Sequence, residues 1–174
     1  MLKLQHLWRG VLPVVVALLC VSPVLGEGAF DRPAPIRLKA LPAIGEKLTP
    51  PEPSRFMTMA SPSQLYESYL VAVDGVVYEL GVDREGLVRF ISTGDPQFRT
   101  PEGLKAGDSL AAVRVFATGK MRVEGGWARY IPLRSGWNVV IALRGEGDAL
   151  SRVVPDTGEA EPGDGSVSFF FRRQ

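Results

Sequence analysis

The chain has 174 residues, with 20 lysines and arginines against 19 acidic residues. That near balance argues against nucleic acid as a partner, because such an interface needs a basic stripe. The one histidine, His6, and the one cysteine, Cys20, both fall within the first 26 residues. If that segment is removed, the remainder has no disulfides, cysteine nucleophiles, Ser-His-Asp triads or histidine switches, and lacks the usual zinc, copper and non-haem iron sites.

Residues 1–26 read as a secretory signal. Lys3 and Arg9 form a basic n-region, and Val11–Val21 is almost wholly apolar. That run has the length of an h-region and is shorter than the roughly 20 residues a bilayer span needs. Val24-Leu25-Gly26 suits cleavage. The expectation is an extracytoplasmic protein, periplasmic or secreted, with no membrane insertion after the signal is cut. An uncleaved anchor is one alternative. Lipidation at Cys20 is another, with Leu19 standing where a small residue is wanted.

Residues 27–62 carry Pro33, Pro35, Pro42, Pro50, Pro51, Pro53 and Pro62 with little apolar periodicity. This composition predicts an extended tether, with a proline-rich peptide ligand as the other use. Ile36 and Leu38 can pack as an added edge strand. Residues 63–174 read as one α+β domain, an antiparallel sheet of about six to eight strands with one short helix on one face.

Within that domain, a strand near Tyr69–Val73 meets Asp74-Gly75, a two-residue hairpin signal. Val76, Tyr78, Leu80 and Val82 then alternate with Val77, Glu79, Gly81 and Asp83, the period of a half-buried strand. Leu87–Thr93 completes an antiparallel meander. Gly94-Asp95-Pro96 ends it, and Phe98 pins the following loop. Asp108 or Ser109 caps a helix whose stripe is Leu110, Val113, Phe116 and Ala117, with Gly119 as its left-handed stop. A helix this short does not survive alone in water and must lie on the sheet.

Lys120–Glu124 is a short strand and Gly125-Gly126 a turn. Trp127, Arg129, Ile131 and Leu133 are expected on one face, with Tyr130 on the other. Ser135-Gly136 turns the chain into a strand whose Trp137, Val139, Ile141 and Leu143 share a face. Leu150–Val154 is a further strand candidate between glycine-rich acidic loops at 145–148 and 156–165. Ser166–Arg172 is the last strand, covered on both faces, with Phe169 and Phe171 opposite Phe170. Arg172 and Arg173 are expected to hold its end in water.

Thr100-Pro101-Glu102-Gly103, Gly107-Asp108-Ser109 and Val113 resemble the run into the helix in small envelope α+β domains. The outer-membrane assembly lipoproteins and the β-lactamase inhibitor proteins are examples. From about Val71 to Leu143, the chain is similar to a family of uncharacterised exported bacterial proteins in which a tryptophan-bearing hairpin ends in a Ser-Gly-Trp turn, here Ser135-Gly136-Trp137. The resemblance covers less than half the chain and departs from the inhibitor proteins in lacking disulfide-forming cysteines. It implies a non-catalytic envelope module and brings no catalytic residue, metal or cofactor.

Several constellations suggest other chemistry. The glycine-rich run into the helix can bind anions, but Asp108 repels phosphate and no GK[ST] follows. Asp156-Thr157-Gly158 has the residues of an aspartic-protease signature, yet it occurs once and Pro155 precedes it. Asp148, Asp156, Glu159, Glu161 and Asp164 offer oxygen ligands without calcium-loop spacing. Glu79, Glu102, Asp108 and Glu124 are candidates for a paired-carboxylate hydrolase.

Trp127, Arg129, Tyr130, Arg134 and Trp137 cluster on one hairpin, with Arg99 near the helix start. These side-chain types anchor interfaces when exposed; buried tryptophans would instead be core. The sequence therefore predicts a non-enzymatic exported binding or assembly module for a protein or envelope polymer. An inhibitor of an extracellular enzyme and a histidine-free carboxylate hydrolase are the alternatives.

Overall fold

In the computed structural model, residues 33–50, 56–143 and 165–174 are described. The elements in chain order are β1 (Ile36–Arg37), β2 (Phe56–Ser61), β3 (Gln64–Val73), β4 (Val76–Val82), β5 (Val88–Thr93), α1 (Leu110–Phe116), β6 (Arg122–Glu124), β7 (Ala128–Pro132), β8 (Asn138–Leu143) and β9 (Gly165–Arg173). They make an α+β fold, a nine-stranded, mostly antiparallel sheet with one short helix.

The sheet order is β1-β3-β4-β5-β9-β8-β7-β6, with β2 also paired to β3. The β3–β4 turn is the Asp74-Gly75 hairpin that the sequence announces. Asp74 and Gly75 both take positive φ, 50° and 83°, and Val73 pairs with Val76. Two positive φ values match the right-handed twist of the flanking strands. β5 then pairs β4 on one side and β9 on the other. β9 also pairs β8, so it joins the β3–β5 meander to the β6–β8 meander.

Alternation along β9 fills both faces of the sheet. Phe170 enters a core with Val71, Leu80, Ile91, Trp137 and Val139, closed over by Leu110 and Val113 of α1 and by Phe98 and Leu104. Phe171 enters a second core with Ala60, Phe90, Trp127, Ala128, Tyr130 and Val140. Phe98 packs edge-on against Phe170 at 5.1 Å and Trp137 at 4.9 Å, which is how it pins its loop. On the second face a Cβ at Gly81 would lie 3.0 Å from Tyr66 Cβ and 3.1 Å from Phe90 Cβ. Only a residue without a side chain fits between them.

Ser109, not Asp108, caps the helix: its hydroxyl accepts from the Ala112 amide at 3.3 Å. Asp108 accepts from the Lys105 amide at 2.9 Å and closes the preceding turn. Gly119 is not the helix stop. The helix ends at Phe116 because Ala117 turns extended and bridges Leu133, and the Thr118 amide donates to Pro132 O at 2.9 Å.

The tether expected over residues 27–62 is sheet and core in its described parts, and the compact unit begins at Pro33 rather than Ser63. β1 runs parallel to β3, the edge addition anticipated at Ile36. The Gly45 amide donates to Val88 O at 2.8 Å and the Leu48 amide to Gly86 O at 2.9 Å, while Ile36, Leu38, Leu41 and Ile44 pack on the first core. Prolines interrupt the spacing of these apolar residues without preventing their burial.

The face assignment around β7 also changes. Trp127 lies in the turn before the strand, so strand alternation does not govern it, and it joins Tyr130 on the second face, opposite Ile131 and Leu133. The 1–26 signal, the Leu150–Val154 strand and the acidic loops between residues 145 and 164 lie outside the described residues. Among the described residues no helix is long and apolar enough to cross a membrane.

Phe170→Ala should lower unfolding free energy by about 3–5 kcal/mol, the range for emptying a buried aromatic site. Ser109→Ala should cost about 1 kcal/mol by removing the cap. Urea denaturation measures both; a Phe170→Ala loss well under 1 kcal/mol would contradict a central β9.

Candidate functional site

The loop after β5 is fixed by side chains the meander supplies. Asp95 accepts from the Val77 amide at 2.9 Å and the Gln97 amide at 2.8 Å, and Thr93 Oγ1 donates to Val77 O at 2.8 Å. Thr100-Pro101-Glu102-Gly103 closes as a tight turn in which the Gly103 amide donates to Thr100 O at 2.8 Å. Gly103 has a φ of 86°, which glycine adopts without a Cβ clash. The Gly107 amide then donates to Val167 O, and the Val167 amide to Asp108 O, zipping the loop onto β9.

Glu102 ties this loop to the β7–β8 turn by accepting from the Ser135 amide at 2.8 Å. From the other side, Arg172 donates to Ser135 O at 2.8 Å and lies 4.5 Å over the Trp137 ring. Burial pushes the Glu102 carboxyl up, but the Ser135 amide and neighbouring donors outweigh it and leave it below its ordinary range. Burial pulls Arg172 down, with Glu102 opposing. Glu102 Oε2, Ser135 Oγ and Arg172 Nε are buried without a hydrogen-bond partner among the described residues.

A second network lies on the other face. Arg173 is paired with Glu124, donates to Tyr130 Oη at 3.0 Å and Ala60 O at 2.9 Å, and stacks 5.0 Å from the Trp127 ring. Tyr130 donates to Glu124 Oε1 at 2.7 Å, and Trp127 Nε1 donates to Met59 O at 2.8 Å. The Arg173 guanidinium, opposed by partial burial, holds the Glu124 carboxyl below its usual range. Burial and the same carboxylate push the Tyr130 hydroxyl up. Arg172 and Arg173 therefore do not extend into water. Each lies over a tryptophan ring, Arg172 over Trp137 and Arg173 over Trp127.

These contacts divide the sequence-predicted site. Trp127, Tyr130 and Trp137 are 5%, 4% and 3% exposed and belong to the cores, so they do not form a contact surface. Trp137 packs in the first core and Trp127 and Tyr130 in the second, each in contact with side chains of β9. Arg129 is half-buried, and Arg99 and Arg134 are exposed. Arg99 donates to Pro96 O and Phe98 O at 2.7 Å, so its loop stands against Trp137 through Phe98. The Glu102–Ser135 bond brings that loop to the turn bearing Arg134, whereas Trp127 and Tyr130 belong to the opposite face.

Sequence reasoning missed Arg172 and Arg173 as partners of the tryptophans; the available signal was two cations directly after three phenylalanines. It also missed that Glu102 and Glu124 serve separate networks. Among the described residues, no group of three or more histidine, cysteine, aspartate or glutamate side chains is placed to hold a metal. Asp156-Thr157-Gly158 and the acidic calcium candidates lie outside the described residues.

No protein-family model and no curated protein matches the sequence. Among solved structures, the chain is similar to the crystal structure of the uncharacterized protein yfeY from Escherichia coli, with a TM-score of 0.46 and 16% identity, over 81% of this chain and 100% of that one. The similarity of the helix lead-in to assembly lipoproteins and inhibitor proteins gains no support from these comparisons.

A carboxyl held below its unfolded value adds stability that is complete above about pH 5 and is lost as pH falls through its folded value. Glu124→Gln should therefore lower stability at pH 7 by about 1.5–3 kcal/mol, the scale of a charged hydrogen bond, and flatten the loss of stability between about pH 5 and pH 3. Urea midpoints across that range measure it. Parallel curves for the two proteins would show that Glu124 is not held in its charged form.

Proposed function

We propose that the chain is a non-enzymatic binding or assembly module that works outside the cytoplasm. It would hold an acidic protein or acidic envelope polymer on the rim formed by the loop before α1 and the β7–β8 turn. The observation that carries this reading is the Glu102–Ser135 hydrogen bond at 2.8 Å, which makes one surface of two segments. Arg99, Lys105 and Arg134 stand exposed on those segments. The rim backs onto Phe98, Trp137 and Phe170, so its backbone is largely ordered before a partner arrives, which lowers the entropic cost of binding.

Three of the acids that would serve a carboxylate hydrolase already have structural roles. Glu102 holds Ser135, Asp108 holds the Lys105 amide, and Glu124 holds Arg173. The basic n-region and apolar run of the first 26 residues support export.

The test is capture from an envelope fraction by wild type and by Arg99→Glu/Arg134→Glu of equal thermal stability. Saturable capture by wild type is expected, reduced at least tenfold in the double variant. Equal capture by both would reject the rim. Turnover of a substrate that disappears in a folded Glu102→Gln variant would reject the non-enzymatic reading.

A further inference from the structure

A second feature lies on β2, apart from the rim. After residue 26 the only sulfur donors are the thioethers of Met57, Met59 and Met121. Two of these lie two positions apart on one strand, 51% and 49% exposed. Methionine ranks among the residue types most often buried, so a paired exposure calls for a cause. Positions i and i+2 of a strand share a face, with Cα atoms about 6.5 Å apart. An unbranched side chain with three rotatable bonds lets two sulfurs converge across that distance.

The surroundings of the pair are apolar at the Met59 end and charged at the Met57 end, where Glu67, Asp83 and Arg84 border one cavity. Leu65 lies opposite Met59 and is also exposed, and Glu67 lies opposite Met57. The backbone beneath is fixed, since Met59 O accepts from Trp127 and Ala60 O from Arg173. Thioethers are soft donors that select soft cations, whereas calcium and magnesium take oxygen ligands.

We propose that Met57 and Met59 form a surface site for a soft monovalent d¹⁰ cation, silver(I) or copper(I), held between their two sulfurs with the Glu67 carboxylate supplying compensating charge. Only binding is involved; neither the metal nor the sulfur changes oxidation state. Met121 serves as an internal control, because it is half-buried beside the end of α1 next to Lys120 and Ile131.

The test is titration of the protein with silver nitrate in chloride-free buffer. His6→Gln and Cys20→Ser are included so that no imidazole or thiol competes, and the methionine methyls are labelled with carbon-13. One equivalent should shift the Met57 and Met59 signals together and leave Met121 in place. Met57→Leu and Met59→Leu keep the apolar surface, and each should weaken binding at least tenfold. Copper(I) titrated without oxygen should give the same pattern. Absence of saturable uptake, equal movement of the Met57, Met59 and Met121 methyls, or unchanged affinity in both leucine variants would overturn the site. The last result would leave the exposed side chains as an apolar surface only.

Discussion

The fold depends on β9 lying between β5 and β8. Among the described residues, no other strand connects the β3–β5 meander to the β6–β8 meander by main-chain hydrogen bonds. Its three phenylalanines alternate, so one strand supplies the centre of both cores: Phe170 to the face beneath the helix, Phe169 and Phe171 to the other. Full burial of an aromatic ring on each side of a single strand is a large hydrophobic term for so short a segment.

The end of β9 extends this role to polar groups. Arg172 and Arg173 point to opposite faces, and each covers one tryptophan while holding a turn or strand end. Partly buried guanidiniums need partners to offset desolvation. Glu124 answers Arg173 directly, and Glu102 acts on Arg172 through charge and the shared Ser135 turn. Aromatic, cation and carboxylate thus repeat on the two faces. Glu102 holds the β7–β8 turn and Glu124 the end of β9, while the exposed cations Arg99 and Arg134 lie on the two segments that Glu102 joins.

Much of this was legible because local rules and tertiary placement agree. Asp74-Gly75 fixes a hairpin by backbone preference alone. Val76–Val82 and Trp137–Ile141 alternate as strands, although Gly81 and Val140 are buried on the second face as well, and the phenylalanine run tells of burial on two. Ser109 caps α1 as its side chain allows. Legibility failed where a long-range contact overrode a local pattern. Prolines around Ile36, Ile44 and Leu48 look like a spacer, yet the backbone there bonds to Gly86 and Val88. Trp127 is one residue outside its strand, so periodicity assigns it the wrong face. Gly119 has the composition of a helix stop, but bridging by Ala117 to Leu133 ends the helix first. The tryptophans and arginines of the candidate site have interface-forming chemistry, and only the path of β9 decides that they face inward.

The β5–β9 pairing joins residues such as Phe90 and Arg173, far apart along the chain. The inner edges of β5 and β8 find their partner only in this last strand. Closing so long a loop before any reward slows folding relative to local topologies. A polypeptide arranged this way completes its tertiary order only when its last strand pairs.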